Sequence, residues 1–249
     1  MNASLYRLSR PLMAAGLAVL AAVWLYGEAL PEPTDLRPEL SQEPEQIAVQ
    51  QTAFEAPAGG VRYTVRPLYS YDLYGLVVSR HDARSWWDYI HREWKDALNA
   101  VDFCVVWGPN VTSGAYRQID FSSTQFECHY RTSSDAAWAA FDSSAVSNNH
   151  LLAADPALAA RLREVRVGDQ VHVRGYLAEY SHQAGQGFQR GTSTTRSDTG
   201  NGACETIYVE QFELLAPGGG AWRKMFWPGA ALLLAGLGLW FAAPIRITA

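Results

Sequence analysis

The sequence predicts a mainly β fold with additional helices, an α+β domain, flanked by two transmembrane helices. Two observations support this prediction. Apolar stretches lie at residues 12–26 and 225–243, near the two ends of the 249-residue chain. Between them, runs rich in Val, Tyr, Phe and Thr are separated by turn residues, a pattern typical of strands. We therefore expect one globular domain, at residues 58–216, held at a membrane.

The two apolar stretches predict the topology. Residues 225–243 carry no charge over 19 residues, which is long enough to cross a hydrocarbon core of about 30 Å as a helix. In the first segment, residues 1–26, Arg7 and Arg10 precede the apolar part, so we expect the N-terminus in the cytoplasm and the domain in the periplasm. The same segment also has the features of a cleaved signal peptide. Retention as an anchor and cleavage both remain open.

Charge divides the remaining chain into two parts. Residues 27–57 hold seven acidic residues, one Arg and prolines at positions 31, 33, 38 and 44, which predicts a disordered acidic linker. Residues 58–221 hold 18 acidic and 14 basic residues, a balance that excludes a nucleic-acid surface. Because the composition is rich in Ala and poor in Lys, as in GC-rich bacterial genomes, we expect an integral protein of a bacterial inner membrane.

The first half of the domain begins with a strand-rich segment. Residues 61–80 are dense in β-branched and aromatic side chains and predict one long strand or two, bent near Pro67. Residues 85–98 change to a helical period, with Trp86 and Trp94 on the same face. This pattern predicts an amphipathic helix whose tryptophans pack against a sheet.

The second half adds more strands and another helix. Strands are predicted at residues 102–107, 126–130, 171–180 and 206–215, the first two as an antiparallel pair. Residues 147–151 are interpreted as a turn, and Asp155 followed by Pro156 opens a helix. The order of elements, and a segment VGDQVHVRGYL that looks like the fourth strand of OB-type barrels, predict an OB-like five-stranded barrel with inserted helices.

A long connection between the last two strands is the candidate binding site. Residues 182–203 include five glycines among 22 residues, and connections of this length are usually functional or disordered. Glycines allow a ligand to approach the backbone closely, and several hydrogen-bonding side chains lie beside them. The candidate ligand-binding residues are Thr194, Thr195, Arg196, Asp198, Asn201 and Glu205. The alternative is that Asp198 and Asn201 form local turns with neighbouring glycines.

Of the three cysteines, two are expected to form a disulfide in an oxidising compartment, which leaves one free thiol. Cys104 and Cys128 lie on neighbouring predicted strands and form the first choice of disulfide, although Cys204 could reach either. A free Cys204 is an inert buried residue, an intermolecular bridge or a nucleophile that needs a nearby base. His129 and His150 are available bases. The sequence contains no HExxH, CxxC or GxSxG motif, so it predicts no catalytic set, metal or cofactor.

Four runs of the domain resemble a family of bacterial membrane-anchored proteins that is uncharacterised. The runs are DFCVVWGPNV, SNNHLL, VGDQVHVRGYL and TSTTRSDTGNGACETIYVE. The resemblance covers residues 71–215. It implies an exported OB-like domain and assigns no activity.

Three functions are compatible with these features. The first is a non-enzymatic periplasmic module that binds a ligand or an envelope protein through the 182–203 loop. The second is a thiol-dependent hydrolase or transferase that uses Cys204. The third is a structural subunit of an envelope complex, in which Gly229, Gly236 and Gly238 pack on a partner helix.

Overall fold

The computed structural model describes residues 3–195, 198 and 204–242, and residues 3–6 by their backbone alone. The fold is mixed α+β and consists mostly of sheet. The strands are β1 (Glu45–Ala48), β2 (Phe54–Ala58), β3 (Val61–His81), β4 (Asn99–Val106), β5 (Asp120–Ser123), β6 (Cys128–Arg131), β7 (Val146–Leu152), β8 (Gln170–His182), β9 (Phe188–Arg190) and β10 (Glu205–Ala216). The helices are α1 (Ala3–Tyr26), α2 (Tyr89–Glu93), α3 (Gly108–Ser113), α4 (Asp135–Ala140), α5 (Pro156–Glu164), α6 (Gly220–Lys224) and α7 (Phe226–Phe241).

The chain divides into two compact units, of which the first contains both chain ends, Met1–Ala29 and Gly218–Ala249. Among the described residues, one helical segment is long and apolar enough to cross a membrane, the 20 residues Arg7–Tyr26. This segment is consistent with a membrane anchor. Helix α7 is also apolar, but its 16 residues span only about 24 Å.

Glycines bring the two long helices of this unit together. A Cβ atom on Gly16 would lie 2.6 Å from the backbone nitrogen of Leu233, so α1 and α7 approach too closely there for a side chain. Gly229 and Gly236 likewise face α1, whereas a Cβ atom on Gly238 would meet no other element within 4 Å among the described residues. The helix that packs on Gly229 and Gly236 is therefore the chain's own α1.

The second unit, Leu30–Pro217, is built on a sheet that closes into a ring. Going round the ring, β3 pairs with β4, β4 with β7, β7 with β10, β10 with β8, and β8 with β3 again. The β7–β10 pair is parallel and the others are antiparallel. The ring closes because the 21-residue β3 pairs with β8 along most of its length and with β4 at its end. Its interior holds the main core, which includes Leu73, Phe103, Leu151, Val173 and Ile207.

Strand β3 is one continuous strand with an irregularity at the predicted position. Its register with β8 shifts between Pro67 and Tyr69. Proline has no N–H to donate to the ladder, so a bulge is the ordinary way to accommodate it within a strand.

The predicted helix at residues 85–98 is much shorter in the structure. Helix α2 covers five residues, and its N-cap is Asp88, whose carboxylate accepts from the backbone N–H of His91. Lys95 has a φ of 55°, a left-handed conformation that ends the helical path. Trp86 is 87% exposed, so its predicted packing against a sheet is wrong.

The segment interpreted as a turn, residues 147–151, is instead the buried strand β7. The strand predicted to pair with β4 corresponds to β6, but β6 pairs with β5 in a separate two-stranded sheet. The actual partner of β4 on this side is β7. The disulfide of the structure links Cys104 on β4 with Cys128 on β6 and so joins the two sheets. This is the pair favoured from the sequence, although the strands that carry it are not neighbours.

The predicted disordered linker at residues 27–57 is largely part of the folded second unit. Leu40 is fully buried, in a cluster with Leu76 and Tyr116. The backbone N–H of Arg37 donates to Gln170 on β8, at 2.7 Å. The acidic and Pro-rich composition is misleading because a few well-spaced apolar residues dock on a core that other parts of the chain have built.

Replacing Leu40 by alanine is expected to lower the free energy of unfolding by about 2 kcal/mol, since a fully buried leucine leaves a cavity. We expect the low end of the usual range because the surrounding segment can relax. Chemical denaturation of the full-length protein in detergent measures the effect, with Glu39→Ala as the neighbouring control. No change in Leu40→Ala would mean that the Leu40 side chain contributes nothing to the stability of the core.

Candidate functional site

The outer face of the ring carries a set of buried polar side chains. In the β4–β7 pair, Asp102 lies opposite His150 and Cys104 lies opposite Asn148. Successive side chains of a strand alternate between faces, so these four point away from the interior that holds Phe103 and its neighbours. Strand β10 begins beside β7 in parallel, with Thr206 opposite His150. Cys204 immediately precedes β10 and therefore lies in the same region.

His150 lies between a carboxylate and a thiol. Its Nδ1 atom is 2.8 Å from Oδ1 of Asp102, and both side chains are almost completely buried. The ring N–H does not point squarely at this oxygen, so the contact is an ion pair rather than a linear hydrogen bond. Burial opposes the charged imidazolium, but the Asp102 carboxylate, with a contribution from Cys204, raises the pKa of His150 to about 9.

Asp102 is held in place from a second direction. The side-chain amide of Asn99 donates to the same Oδ1 atom at 2.9 Å. Burial raises the pKa of Asp102, but the charge of His150 and the hydrogen bond from Asn99 outweigh it and leave the pKa below its ordinary value. Asp102 is therefore a buried carboxylate that favours a protonated His150.

Cys204 is the free thiol of the chain and is partly exposed. Its Sγ atom lies 3.4 Å from the carbonyl oxygen of Phe126, to which the thiol can donate, and 3.5 Å from Nδ2 of Asn148. Burial raises the pKa of the Cys204 thiol. The hydrogen bond with His150, the charge of His150 and the hydrogen bond from Asn148 all lower it, and together they exceed the effect of burial. The pKa of Cys204 is lowered as a result.

Aromatic side chains and a cation lie beside the thiol. The rings of Trp94 and Phe126 stack with centroids 5.4 Å apart, and those of Trp94 and Phe188 are 5.7 Å apart. The guanidinium carbon of Arg190 lies 4.8 Å from the centroid of Phe126, a cation–π distance. Trp94 is 42% exposed, so this aromatic cluster of Trp94, Phe126 and Phe188 reaches the surface.

The predicted loop residues do not assemble into one ligand site among the residues described. Ser193 Oγ lies 2.8 Å from Oδ2 of Asp198 and 2.7 Å from the carbonyl oxygen of Thr195, contacts within the loop itself. The carbonyl oxygen of Thr194 accepts from Gln46. Glu205 is buried at the start of β10 and follows Cys204 in the sequence. Arg196 and Asn201 lie outside the described residues.

The sequence alone does not single out Asp102, and it offers His150 only as one of two available bases. His129, the other base, is half exposed and lies 3.3 Å from Glu127 instead. Residues 146–152 read VSNNHLL, in which apolar and polar residues do not alternate, so no local pattern marks the strand that carries His150. Asn148 and Asn149 also favour a turn, because Asn is uncommon in strands.

A second group of ligand-type side chains lies close by. His81, Asp88 and His91 are buried and bring two imidazole nitrogens and a carboxylate oxygen together within 4.8 Å. The group is linked to the thiol site through Asn99, whose Nδ2 atom is 3.2 Å from Nε2 of His91 and 2.9 Å from Asp102. These three residues are the ones that could hold a metal ion in the part of the chain that the structure describes.

Comparison with known proteins identifies no relative: no family model, no curated protein and no solved structure matches this chain.

Proposed function

We propose that this protein is a membrane-anchored, thiol-dependent hydrolase or transferase in which Cys204 is the nucleophile. The observation that carries the proposal is the placement of His150 between the Asp102 carboxylate and the Cys204 thiol. Nucleophile, base and orienting carboxylate in this order make up the arrangement that activates a weak nucleophile in acyl transfer.

Each side chain has a role in such a reaction. The thiol proton rests on His150 in a thiolate–imidazolium pair, and the Cys204 thiolate attacks the carbonyl carbon of an acyl substrate, forming a C–S bond. The protonated His150 then gives its proton to the leaving group as the bond from the carbonyl carbon to that group breaks. Water completes a hydrolysis, whereas a second nucleophile completes a transfer. Asp102 stabilises the imidazolium and Asn148, near the sulfur, is placed to donate to the developing oxyanion.

The aromatic cluster gives the proposed substrate an apolar part. Trp94 and Phe188 form a partly exposed apolar surface around Phe126, whose carbonyl oxygen contacts the thiol. Binding sites are mostly apolar with a few convergent polar groups, and this neighbourhood has that composition. Arg190, above the same ring, would favour a substrate with a negatively charged group.

The setting of the enzyme is part of the proposal. We interpret the ring of five strands as an OB-like barrel. In chain order the ring strands are β3, β4, β7, β8 and β10, and going round the ring they follow one another as first, second, third, fifth and fourth, with the fourth paired to the first. The apolar helix at residues 7–26 supports membrane anchoring, and Arg7 and Arg10 on its N-terminal flank favour a periplasmic domain. A second membrane span at residues 225–243 and an envelope protein as partner belong to the same proposal.

The alternative of a binding module that uses the 182–203 loop has less support. Its candidate residues Thr195 and Asp198 are engaged with Ser193 in contacts within the loop. No grouping of these side chains among the described residues resembles the convergence seen around His150.

Alkylation of Cys204 as a function of pH tests the proposal without knowledge of the substrate. Full-length protein in mild detergent is treated with iodoacetamide at a series of pH values, and Cys204 modification is followed by mass spectrometry. We expect the wild-type midpoint below that of an ordinary thiol, because the pKa of Cys204 is lowered. In His150→Gln the midpoint should rise and labelling near neutral pH should slow several-fold.

The matched control is His172→Gln. His172 also faces an aspartate, with Nε2 2.6 Å from Oδ1 of Asp72, but it pairs with Glu213 far along β10 from Cys204. This control should leave the midpoint unchanged. A folded wild-type protein that is not alkylated, or equal midpoints in wild type and His150→Gln, would remove the nucleophile from the proposal.

A further inference from the structure

The buried group of His81, Asp88 and His91 takes no part in the proposed thiol reaction, although Asn99 links the two groups, and it has its own structural origin. His81 is the last residue of β3, Asp88 is the N-cap of α2 and His91 lies in the first turn of α2. Oδ2 of Asp88 is 2.7 Å from Nε2 of His81 and 2.6 Å from Nδ1 of His91. The strand end and the helix N-cap thus direct three side chains at one point.

The surroundings fix the carboxylate and leave the imidazoles facing it. Oδ1 of Asp88 accepts from the backbone N–H of His91 and from Nε2 of Gln125, so the carboxylate is oriented by its other oxygen. The three side chains are 0 to 3% exposed. Buried His and Asp side chains that converge in this way satisfy one another by hydrogen bonds or hold a metal ion.

We propose that His81, Asp88 and His91 bind a divalent transition-metal ion, with zinc the best match. Two imidazole nitrogens and one carboxylate oxygen are borderline-soft and hard ligands that zinc accepts in three-residue sites, with a fourth position for water or another group. Tetrahedral bonds of about 2.0 to 2.1 Å separate the ligand atoms by roughly 3.3 Å. The imidazole nitrogens must therefore move away from Asp88 by about 0.6 Å each to admit the ion.

Metal binding also requires a defined movement of protons. Without metal, both imidazoles donate an N–H to Asp88, so each must transfer that proton to its other ring nitrogen before the freed lone pair can bind. The Nε2–H of His91 then needs an acceptor. Oδ1 of Asn99 has no hydrogen-bond partner among the residues described, and a half-turn of this amide presents it to His91. The same half-turn withdraws the Nδ2 donor from Asp102, so a bound ion costs Asp102 this hydrogen bond.

The fourth position has a candidate on the side of Gln125. This residue is half-buried and its side-chain amide lies 3.0 Å from Asp88. Its oxygen, or a water molecule that enters beside it, completes four ligands. The site therefore has three residues that are fixed by the fold and one side from which the ion enters.

Titration with Co²⁺ tests the site, because tetrahedral Co²⁺ has visible d–d absorption bands and substitutes for Zn²⁺. Full-length protein in detergent, without a histidine tag and with Cys204 replaced by serine, is titrated with Co²⁺ and then with Zn²⁺. We expect a single ion per chain, intense tetrahedral bands and displacement of Co²⁺ by Zn²⁺. The cysteine replacement excludes the thiol as the ligand, so the result does not depend on the proposed function.

Two variants locate the binding. His81→Gln with His91→Gln should abolish the bands, whereas the control His172→Gln should retain them. Asp88→Asn keeps an acceptor for the N-cap and should weaken Co²⁺ binding while α2 remains folded. In wild type, Zn²⁺ should also raise the temperature of unfolding, because it binds the folded state. The proposal is overturned if the wild type takes up no Co²⁺ or Zn²⁺, or if the folded Asp88→Asn and double variants bind as the wild type does.

Discussion

Replacing Asp102 by alanine is expected to lower the free energy of unfolding by about 3 to 5 kcal/mol, the usual effect of breaking a buried ion pair. Asp102 is fully buried and lies 2.8 Å from His150, which is itself buried. Alanine removes the carboxylate that compensates the imidazolium and also removes one of the two acceptors of the Asn99 amide, leaving the one on His91. Chemical denaturation of the full-length protein in detergent at neutral pH measures the loss.

Asp102→Asn is the matched variant, because its shape and its acceptor oxygen are retained while the charge is removed. We expect this variant to lose less stability than Asp102→Ala and to have a lower His150 pKa than the wild type. Alkylation of Cys204 should then resemble that of His150→Gln. If Asp102→Asn kept the wild-type alkylation midpoint, Asp102 would be a structural residue that has no influence on the thiol.

The same pair has a defined pH dependence. The folded-state pKa of His150 is about 9, above its ordinary value of 6.5. A raised pKa means that the stabilisation is fully present below about pH 6.5 and is lost as the pH rises through about 9. The difference in stability between wild type and Asp102→Asn should therefore shrink over this range. A difference that grew with pH would contradict the assigned direction of the shift.

The strands in which apolar and polar residues alternate could be predicted from the sequence. The apolar and polar alternation in residues 171–180 and 206–215 identifies β8 and β10, and Asp155 with Pro156 marks the start of α5. These signals are local, since they depend on which residues share a face. The closure of the ring is not local, because one long strand pairs with two partners that lie far apart in the sequence.

The strand that carries His150 could not be predicted because the amide N–H groups of its two asparagines find their acceptors only in the folded chain. Asn149 donates to the carbonyl oxygen of Phe103 at 3.2 Å and lies 2.8 Å from the hydroxyl of Ser147. Asn148 donates to the carbonyl oxygen of Phe126 at 2.9 Å. Without these partners, buried Asn side chains would disfavour a central strand. The meeting of Asp102, His150 and Cys204 depends on this strand and is invisible in the sequence for the same reason.

Removing the disulfide by replacing Cys104 and Cys128 with alanine is expected to cost about 3.5 kcal/mol, the entropy of a loop of this length in the unfolded state. The two cysteines are 24 residues apart, and the loop between them contains α3, β5 and Phe126. The alanine pair leaves Cys204 as the remaining cysteine, so no new thiol can exchange with it. Thermal and chemical denaturation of the full-length protein measure the loss, with Cys204→Ser as the control that keeps the disulfide.

The same double variant separates the stability of the site from its reactivity. Asp102 and His150 are on ring strands β4 and β7, so their effect on the thiol should persist when the loop is released. Phe126 belongs to the loop, and its carbonyl oxygen is an acceptor for the Cys204 thiol when the disulfide is intact. We therefore expect faster alkylation of Cys204, because the loop no longer shields the thiol and no longer supplies its acceptor. The pH midpoint of alkylation should still lie below that of an ordinary thiol. A midpoint that rose to the ordinary value in a folded variant would show that the loop, rather than His150, controls the reactivity of Cys204.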